Sequence, residues 1–399
     1  MLRKLAIFLA LWASPALAQE AIIGSGVLGT GGSPPVSYTG PGDAISSPLY
    51  FWGLRAVTET FATGGTKMLA VERSNDSAIC DFNVATNGGI GTTSGTCSAG
   101  SAVAGLTLFS YAPDATCTGT IASTTLTCAS ASSTPHAGST LSGAGISVPV
   151  VISSCGTFTG GAGTCTVGPF ITGGAAPPTI SVGETITMTY KESVQRLYEQ
   201  VSGGGNSDFW NNTAAIQPIL LPVCLGTSLP CIGFNGSTNY LGYVNAGYIA
   251  RAQPLTVTSV GERLNTFTGY QFILGSSYSG SYSFETGFYN SANTFFIAAG
   301  SAPTATANDQ QLHSFVLVGN NASSIISVDN TNSTVSPGTI GIDTNGAPLL
   351  GAIDSSGTIQ DYLAGYFTEM GVWGSAFSTG NITTMCHNMR LYWGSTGSC

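Results

Sequence analysis

The stretch QLHSFVLVGN at residues 311–320, followed by SSIISVDNTN at 323–332, decides the fold class. Both are rich in β-branched and aromatic residues, and Asn and Ser lie between them, which is typical of antiparallel strands joined by a turn. Similar runs recur from about residue 194 onward, among them PLTVTSVGER at 254–263 and LAGYFTEMGVWGSAF at 363–377. Many short strands at close spacing predict an all-β protein, a β-sandwich of the jelly-roll type. The late helix that we predict is 379–392, with Ser378 or Thr379 as its N-cap.

The composition excludes several classes of protein. The chain has 399 residues, of which 7% are charged and 43% hydrophobic, and 54 are glycine. Few charges with ample apolar residues argue against a disordered chain and against helical bundles with charged surfaces. Ten Lys and Arg residues against 19 Asp and Glu residues give a net charge of −9, so we expect no nucleic-acid partner. A polar, weakly charged surface is compatible with an uncharged glycan.

Residues 1–18 have the pattern of a secretory signal peptide. Arg3 and Lys4 form the basic start, an apolar run follows, and Ala16-Leu17-Ala18 is a small-x-small cleavage pattern. We therefore expect a protein that is secreted, periplasmic or on the cell surface. The alternative is an N-terminal membrane anchor, but the apolar run is shorter than the roughly 20 residues of a span. No later segment is long enough, so we expect no membrane association after removal of the signal.

The rest of the chain divides by composition. Residues 19–46 are a leader rich in Gly, Ser and Pro. Residues 83–190 carry almost no charge and consist of short Thr- and Gly-rich β-type runs. The pattern begun in residues 47–82 resumes in residues 191–399. We therefore predict that 83–190 is a small all-β domain inserted into the main sandwich.

Ten cysteines in an exported chain suggest five disulfides. Their order favours local pairing, although spacing alone does not establish connectivity: Cys80 with Cys97, Cys117 with Cys128, Cys155 with Cys165, Cys224 with Cys231, and Cys386 with Cys399. A metal site is disfavoured because Cys-x-x-Cys is absent and the three histidines are scattered. We expect neither a metal nor a cofactor.

Two motifs on either side of the insertion resemble one family. The first is FWGLRAVTETFATGGTKMLAVERSNDSAICDF at 51–82, and the second is LYEQVSGGGNSDFWNNTAAIQPIL at 197–220. Together they resemble the catalytic domain of glycoside hydrolase family 54, the α-L-arabinofuranosidase B type. The resemblance implies a concanavalin A-like sandwich, also suggested by the laminin-G-like pattern of the C-terminal strands. Glu199 stands where the family usually has Asp, Val201 is an extra residue, and the family's adjacent cysteine pair is absent.

The resemblance also implies an activity and its residues. It implies retaining hydrolysis of terminal arabinofuranosyl groups from a polysaccharide or oligosaccharide, with Glu285 as nucleophile and Asp354 as general acid/base. The alternatives are that Glu285 is a solvent-facing strand residue and that Asp354 only begins the turn DSSG. Glu369 is interpreted as a surface strand position.

Aromatic and polar residues near these positions are candidates for substrate binding. Tyr278, Tyr282, Tyr289 and Trp373 are candidates for a wall on which sugar rings stack, and Asn206 and Asp208 for hydrogen bonds to sugar hydroxyls. Sandwich cores also bury aromatic residues, and Asn and Asp often cap turns. The rival function is therefore a non-catalytic carbohydrate-binding or surface-adhesion module, resembling those of phage tails, on the same sandwich.

Overall fold

Four strands and three short helices precede the insertion. The structure is a computed structural model that describes residues 38–98, 103–171, 174–202, 207–243, 253–264, 269–275, 286–289, 294–297, 311–335, 348–355, 357–395 and 399. The first elements are α1 (Pro41–Ala44), β1 (Pro48–Gly53), α2 (Glu59–Thr63), β2 (Lys67–Arg73), β3 (Ile79–Val84), β4 (Ile90–Ser98) and α3 (Leu108–Tyr111). In α2 the Thr58 side chain accepts a hydrogen bond from the Phe61 amide, which caps the first turn.

Six strands then form a closed barrel. They are β5 (Pro113–Ala122), β6 (Thr125–Ala131), β7 (Thr140–Gly143), β8 (Val150–Cys155), β9 (Gly163–Pro169) and β10 (Ile180–Thr189), in the order β10-β5-β6-β9-β8-β7. Alternate residues point into the barrel, where Ile121, Leu126, Ile152 and Ile186 are at most 1% exposed. The insertion therefore has a hydrophobic core of its own.

The remaining strands return to the main sheet. They are β11 (Glu192–Leu197), β12 (Phe209–Trp210), β13 (Ile219–Leu221), β14 (Cys231–Asn235), β15 (Leu241–Tyr243), β16 (Leu255–Arg263), β17 (Tyr270–Gly275), β18 (Thr286–Tyr289), β19 (Thr294–Ile297), β20 (His313–Gly319), β21 (Ser324–Val328), β22 (Thr331–Val335), β23 (Leu349–Leu350), β24 (Ile353–Ser355), β25 (Thr358–Gln360) and β26 (Ala364–Trp373). The 3-10 helices are Ala214–Ile216 and Asn321–Ser323, and the last helix is α4 (Thr379–Trp393).

Hydrogen bonds connect eighteen of these strands into one antiparallel sheet that folds over into two layers. The layer that we call the front sheet has the order β4-β3-β2-β11-β12-β15-β23-β17-β18-β19. In the back sheet, β26 pairs with β1 and β14 on one side and with β16 on the other, followed by β20, β21 and β22. Strand β13 joins β11 to β14 and so connects the layers.

Aromatic contacts between the two sheets form the centre of the sandwich. Trp52 of the back sheet lies 5.0 Å, between ring centroids, from Phe209 of the front sheet. Phe315 of the back sheet lies 5.6 Å from Phe288 of the front sheet. Edge-to-face packing of this kind is the favoured arrangement of buried rings. The predicted fold class, an all-β concanavalin A-like jelly-roll sandwich with a small inserted all-β domain, is confirmed.

Helix α4 covers the outer face of the back sheet. Its N-cap is Ser378, whose hydroxyl accepts a hydrogen bond from the Asn381 amide. Ser378 is one of the two N-caps that the sequence predicted. Cys386 of α4 lies with its Sγ 3.3 Å from Ser314 Oγ on β20. All ten residues of β26 are buried, and on the outer face of this strand Glu369 accepts a hydrogen bond from Trp393 of α4. Among the helices in the described ranges, none has the length and apolar character needed to cross a membrane.

The five disulfides join the cysteine pairs that the sequence order favours. They are Cys80–Cys97, Cys117–Cys128, Cys155–Cys165, Cys224–Cys231 and Cys386–Cys399. The first three each link neighbouring antiparallel strands, so pairing along a hairpin brings the two sulfur atoms together. Short closed loops of this type stabilise the fold by restricting the unfolded chain.

The boundary of the inserted domain differs from the prediction. The barrel begins at Pro113, whereas residue 83 was expected, because β4 pairs with β3 in the front sheet. Cys97 therefore belongs to the sandwich and not to the insertion. The low charge and Thr- and Gly-rich sequence of β4 resemble those of the barrel strands, so composition does not separate the two.

Excision of the barrel tests whether the sandwich folds without it. The Tyr190 amide donates to Ala112 O at 2.9 Å, so the two ends of the insertion are adjacent. We expect that replacing 113–189 by a two-residue turn leaves a folded sandwich that loses about 2–5 kcal/mol, since Ile171 packs into the main core. Circular dichroism and urea unfolding would measure this. Loss of a cooperative transition would contradict the independence of the two cores.

A buried carboxyl on β11 predicts a pH dependence of stability. Glu192 is 2% exposed, and its Oε1 has no hydrogen-bond partner among the described residues. Burial raises the pKa of the Glu192 carboxyl well above its ordinary value of 4.5. Between those two pKa values the folded state holds a proton that the unfolded state releases. Rising pH therefore weakens folding across this window, by about 1.4 kcal/mol per pH unit.

We expect Glu192→Gln to remove this dependence. The variant should unfold with nearly the wild-type free energy at pH 4.5 and with a larger one at pH 8, in urea titrations at both values. Glu184→Gln, at a partly exposed carboxyl on the barrel, is the matched control. A wild-type unfolding free energy that does not fall between these pH values would contradict the prediction.

Candidate active site

The end of β17 is the point where the segments carrying the two proposed catalytic residues meet. Leu274 pairs with Thr286, the first residue of β18, and Gly275 pairs with Leu349 of β23. A Cβ placed on Gly275 would lie 2.4 Å from Ala352 O and 2.8 Å from Ile353 Cα. The chain leading into β24 therefore crosses directly over Gly275, and only glycine permits this approach.

Asp354 follows this crossing, on β24. Its side chain is half-buried, and Oδ1 accepts a hydrogen bond from the Gly357 amide at 2.7 Å within the β24–β25 hairpin. This is the turn-forming role that was the structural alternative for this residue. Its second carboxyl oxygen is the atom available for chemistry if the hairpin bond is retained.

Most of the other predicted site residues lie outside the described residues. These are Glu285, Tyr278, Tyr282 and Asn206. Tyr289 is described in its backbone, which pairs with Tyr270 at the far end of β18. Thr286, the residue that follows Glu285 in the chain, is described and pairs with Leu274.

Two predicted substrate-binding residues are buried instead. Trp373 is 1% exposed, packs against Phe377 at 5.2 Å between ring centroids, and donates from Nε1 to Ile45 O at 3.1 Å. A ring in this position is part of the core and has no surface for a sugar. The prediction failed because Phe377 and the segment at Ile45 cover this end of β26, and strand alternation cannot reveal such a covering segment.

Asp208 is also enclosed, at 1% exposure. Its Oδ1 accepts from the Glu199 amide at 2.8 Å, and its Oδ2 lies 3.1 Å from Arg196 Nε. Burial raises the pKa of the Asp208 carboxyl, against the lowering effects of the Glu199 amide and Arg196. The side chain therefore orders the loop after β11 and positions Arg196.

The second motif fastens this loop to β1. Gln200 accepts from the Val57 amide at 2.8 Å and donates from Nε2 to the carbonyls of Gly53 and Arg55 at 3.0 Å each. Glu199 accepts from the Phe51 amide at 3.1 Å. These side chains satisfy backbone groups where β1 ends, so the residues that carry the resemblance serve the fold.

The arginine of the first motif forms a buried ion pair. Arg55 and Glu369 are both fully buried, and Arg55 Nη2 donates to Glu369 Oε1 at 2.7 Å. Trp393 Nε1 of α4 donates to Glu369 Oε2 at 2.5 Å. Glu369 was interpreted as a surface position. That prediction is wrong because α4 covers this face of β26.

The outer face of the front sheet carries a groove that the sequence pattern did not predict. It has a volume of about 220 Å³ and is lined by Ala70, Ile79, Asp81, Ser98, Gln195, Arg196, Tyr198 and Trp210. Trp210 is 38% exposed, which is unusual for this residue. The available signal was the alternation in DFW at 208–210, where Phe209 points into the core and Trp210 must point outward.

The described residues show no metal-binding group. Within the ranges that the structure describes, no three His, Cys, Asp or Glu side chains come together.

Comparisons with known proteins give only distant similarities. No protein-family model and no curated protein matches the chain. Similar solved structures include a glycoside hydrolase family 54 α-L-arabinofuranosidase soaked with a cyclic sulfate inhibitor, at 10% identity and a TM-score of 0.37, covering 72% of this chain and 64% of that chain. An arabinofuranosidase complexed with arabinofuranosyl-α-1,2-xylobiose has 12% identity and a TM-score of 0.37, and the match covers 72% of this chain and 64% of that chain.

The sialidases among the similar structures match a smaller part. Trypanosoma rangeli sialidase in complex with the inhibitor DANA has 13% identity and a TM-score of 0.30, covering 45% of this chain and 31% of that chain. This chain thus spans less than two thirds of each of these proteins. At these values the similarities carry no argument about what this chain binds or cleaves. The chain itself is a two-layer antiparallel sandwich with an inserted barrel, and some solved glycoside hydrolases are similar to it in structure.

Proposed function

We propose that this protein is a secreted glycoside hydrolase that resembles α-L-arabinofuranosidases and removes terminal arabinofuranosyl groups with retention of configuration. The observation that carries the proposal is the crossing at Gly275. The residue after Glu285 is bonded to the end of β17, and the residue before Asp354 lies on Gly275 of the same strand. The chain neighbours of two carboxyl residues distant in sequence, Thr286 and Ile353, thus meet at the end of β17, which supports the proposal. Retaining glycosidases need a pair of carboxyls about 5–5.5 Å apart.

In the proposed reaction the Glu285 carboxylate attacks the anomeric carbon. The bond to the leaving oxygen breaks, and the Asp354 carboxyl gives its proton to that oxygen. The Asp354 carboxylate then takes a proton from water, whose oxygen attacks the anomeric carbon and releases Glu285. Two inversions at this carbon give net retention. The five disulfides suit the exported location that the signal peptide predicts.

The experiment is release of 4-nitrophenol from 4-nitrophenyl α-L-arabinofuranoside by the purified full chain. Proton NMR of the first sugar released should show the α-anomer before mutarotation. Absence of turnover on this and related aryl glycosides would refute the hydrolase. An initial β-anomer would refute the retaining mechanism while leaving hydrolysis intact.

The second candidate is a non-catalytic carbohydrate-binding module. It is favoured by the hydrogen bond that the Gly357 amide donates to Asp354 Oδ1, because this turn-forming role explains the presence of Asp354 without catalysis. Binding of polysaccharide without any release of sugar would support this candidate.

A further inference from the structure

The groove on the front sheet places the exposed ring of Trp210 beside the guanidinium of Arg196, which is paired with Asp208. The Arg196 guanidinium carbon lies 5.3 Å from the centroid of the Tyr198 ring and 6.0 Å from that of Trp210. Its Nε faces the buried Asp208 carboxylate. Arg196 is therefore fixed from three directions, and a fixed donor loses little side-chain entropy when it binds a ligand.

The charges around the groove balance. Lys67 pairs with Asp81, which also accepts a hydrogen bond from the Tyr198 hydroxyl, and Arg196 pairs with Asp208. An anionic ligand would have to compete with these two carboxylates for the two cations. A neutral ligand rich in hydroxyl groups meets donors and acceptors of both kinds without displacing any charge. A flat ring beside such groups matches a sugar, which has one apolar face and a polar rim.

The groove continues toward the proposed active site. Trp210 pairs with Gly242, Gly242 with Leu349, and Leu349 with Gly275, so these four residues form one row across four strands. Among the described residues, the atom closest to a Cβ placed on Gly242 is Trp210 O at 3.7 Å, and Leu349 is 6% exposed. Gly242 therefore leaves room beside Trp210, whereas Leu349 is buried and Ala352 and Ile353 cover Gly275. The open part of the row extends about one strand spacing, roughly 5 Å, beyond Trp210.

From this geometry we infer that the groove around Trp210 and Arg196 is a binding site for a neutral glycan chain, remote from the bond that is cleaved. One sugar stacks on Trp210, with hydroxyls bonded to Arg196, Gln195 and Asp81. The glycan then continues over Gly242, in the direction of Gly275. The direction of the glycan toward Gly275 rests on the proposed function. The inference deepens that function, because it makes the substrate a polymeric glycan rather than a short glycoside. The binding itself does not require catalysis.

Isothermal titration calorimetry on the full chain tests the inference, with soluble arabinoxylan and linear arabinan as neutral probes and polygalacturonate as the charged probe. Asp354→Asn serves as the background so that neither probe is consumed. In that background we expect Trp210→Ala to bind the neutral probes about three- to tenfold more weakly, and Trp210→Phe to retain most of the affinity because the ring remains. Leu391→Ala, at a residue 73% exposed on α4, is the matched control and should bind normally.

The outcomes separate the inference from the proposed function. Ring-dependent binding without any hydrolysis by wild type would uphold the groove and refute the hydrolase. Hydrolysis by the wild type, together with equal binding by Asp354→Asn with and without Trp210→Ala, would overturn the groove alone. No binding of either neutral probe, or tighter binding of polygalacturonate, would also overturn it. Should Trp210→Ala fail to fold, Arg196→Gln replaces it, with the same weakening expected.

Discussion

Asp354→Asn is expected to lower kcat on 4-nitrophenyl α-L-arabinofuranoside by about 10²- to 10⁴-fold. 4-Nitrophenol is a good leaving group, so the first step needs little help from an acid. The loss should fall on the second step, in which Asp354 activates water. Azide, which needs no base, should then restore turnover and yield an arabinosyl azide.

Glu285→Gln is expected to lose at least as much activity as Asp354→Asn. Azide should not restore its turnover, because the covalent step itself is lost. Asp361→Asn is the matched control. Asp361 lies just beyond the β24–β25 hairpin with φ 52°, a conformation that Asn also adopts. Wild-type kcat in both Asp354→Asn and Glu285→Gln would contradict the assignment of the catalytic pair. Loss of activity in Asp361→Asn would make a general disturbance of the hairpin the cause.

The buried Arg55–Glu369 pair should have the largest effect on stability. Glu369→Leu leaves the Arg55 charge buried without its carboxylate, and Trp393 loses its acceptor. We expect the free energy of unfolding to fall by about 3–5 kcal/mol, measured by urea denaturation. The double variant Arg55→Met with Glu369→Leu should recover much of this loss, since no uncompensated charge remains.

Lys67→Met is the control for this pair. Its partner is Asp81, but the Lys67 side chain is 44% exposed, so the expected cost is about 0–1 kcal/mol. A Glu369→Leu variant with the same small cost would show that water reaches the pair and would contradict its burial under α4.

The sequence predicted the features that depend on local pattern. Strand alternation and turn residues indicated the sandwich, and Ser378 marked the start of α4. Consecutive cysteine pairing succeeded because antiparallel neighbours such as β3 and β4 bring Cys80 and Cys97 together. The resemblance to glycoside hydrolases named Glu285 and Asp354, and it remains the source of that prediction.

The predictions that failed concern the faces of strands. Trp373 and Glu369 follow the alternation of β26 correctly, yet both are buried, because Phe377 and the segment at Ile45 cover Trp373, and Trp393 of α4 covers Glu369. The start of the barrel was also misplaced, since β4 has the composition of the insertion but pairs with β3.

The class of fold, a preference for pairing of consecutive cysteines and the presence of an insertion could be predicted from sequence, because they follow from periodicity and from neighbours along the chain. Only the tertiary structure decided which charges are buried, that Gly275 is the crossing point, and that Trp210, Arg196 and Asp81 share one groove. The physical reason is that these contacts join different strands, and some of them, such as Arg55 with Glu369, are more than three hundred residues apart in sequence. Their proximity depends on the order of strands in the sheet, which a pattern within any one strand does not encode.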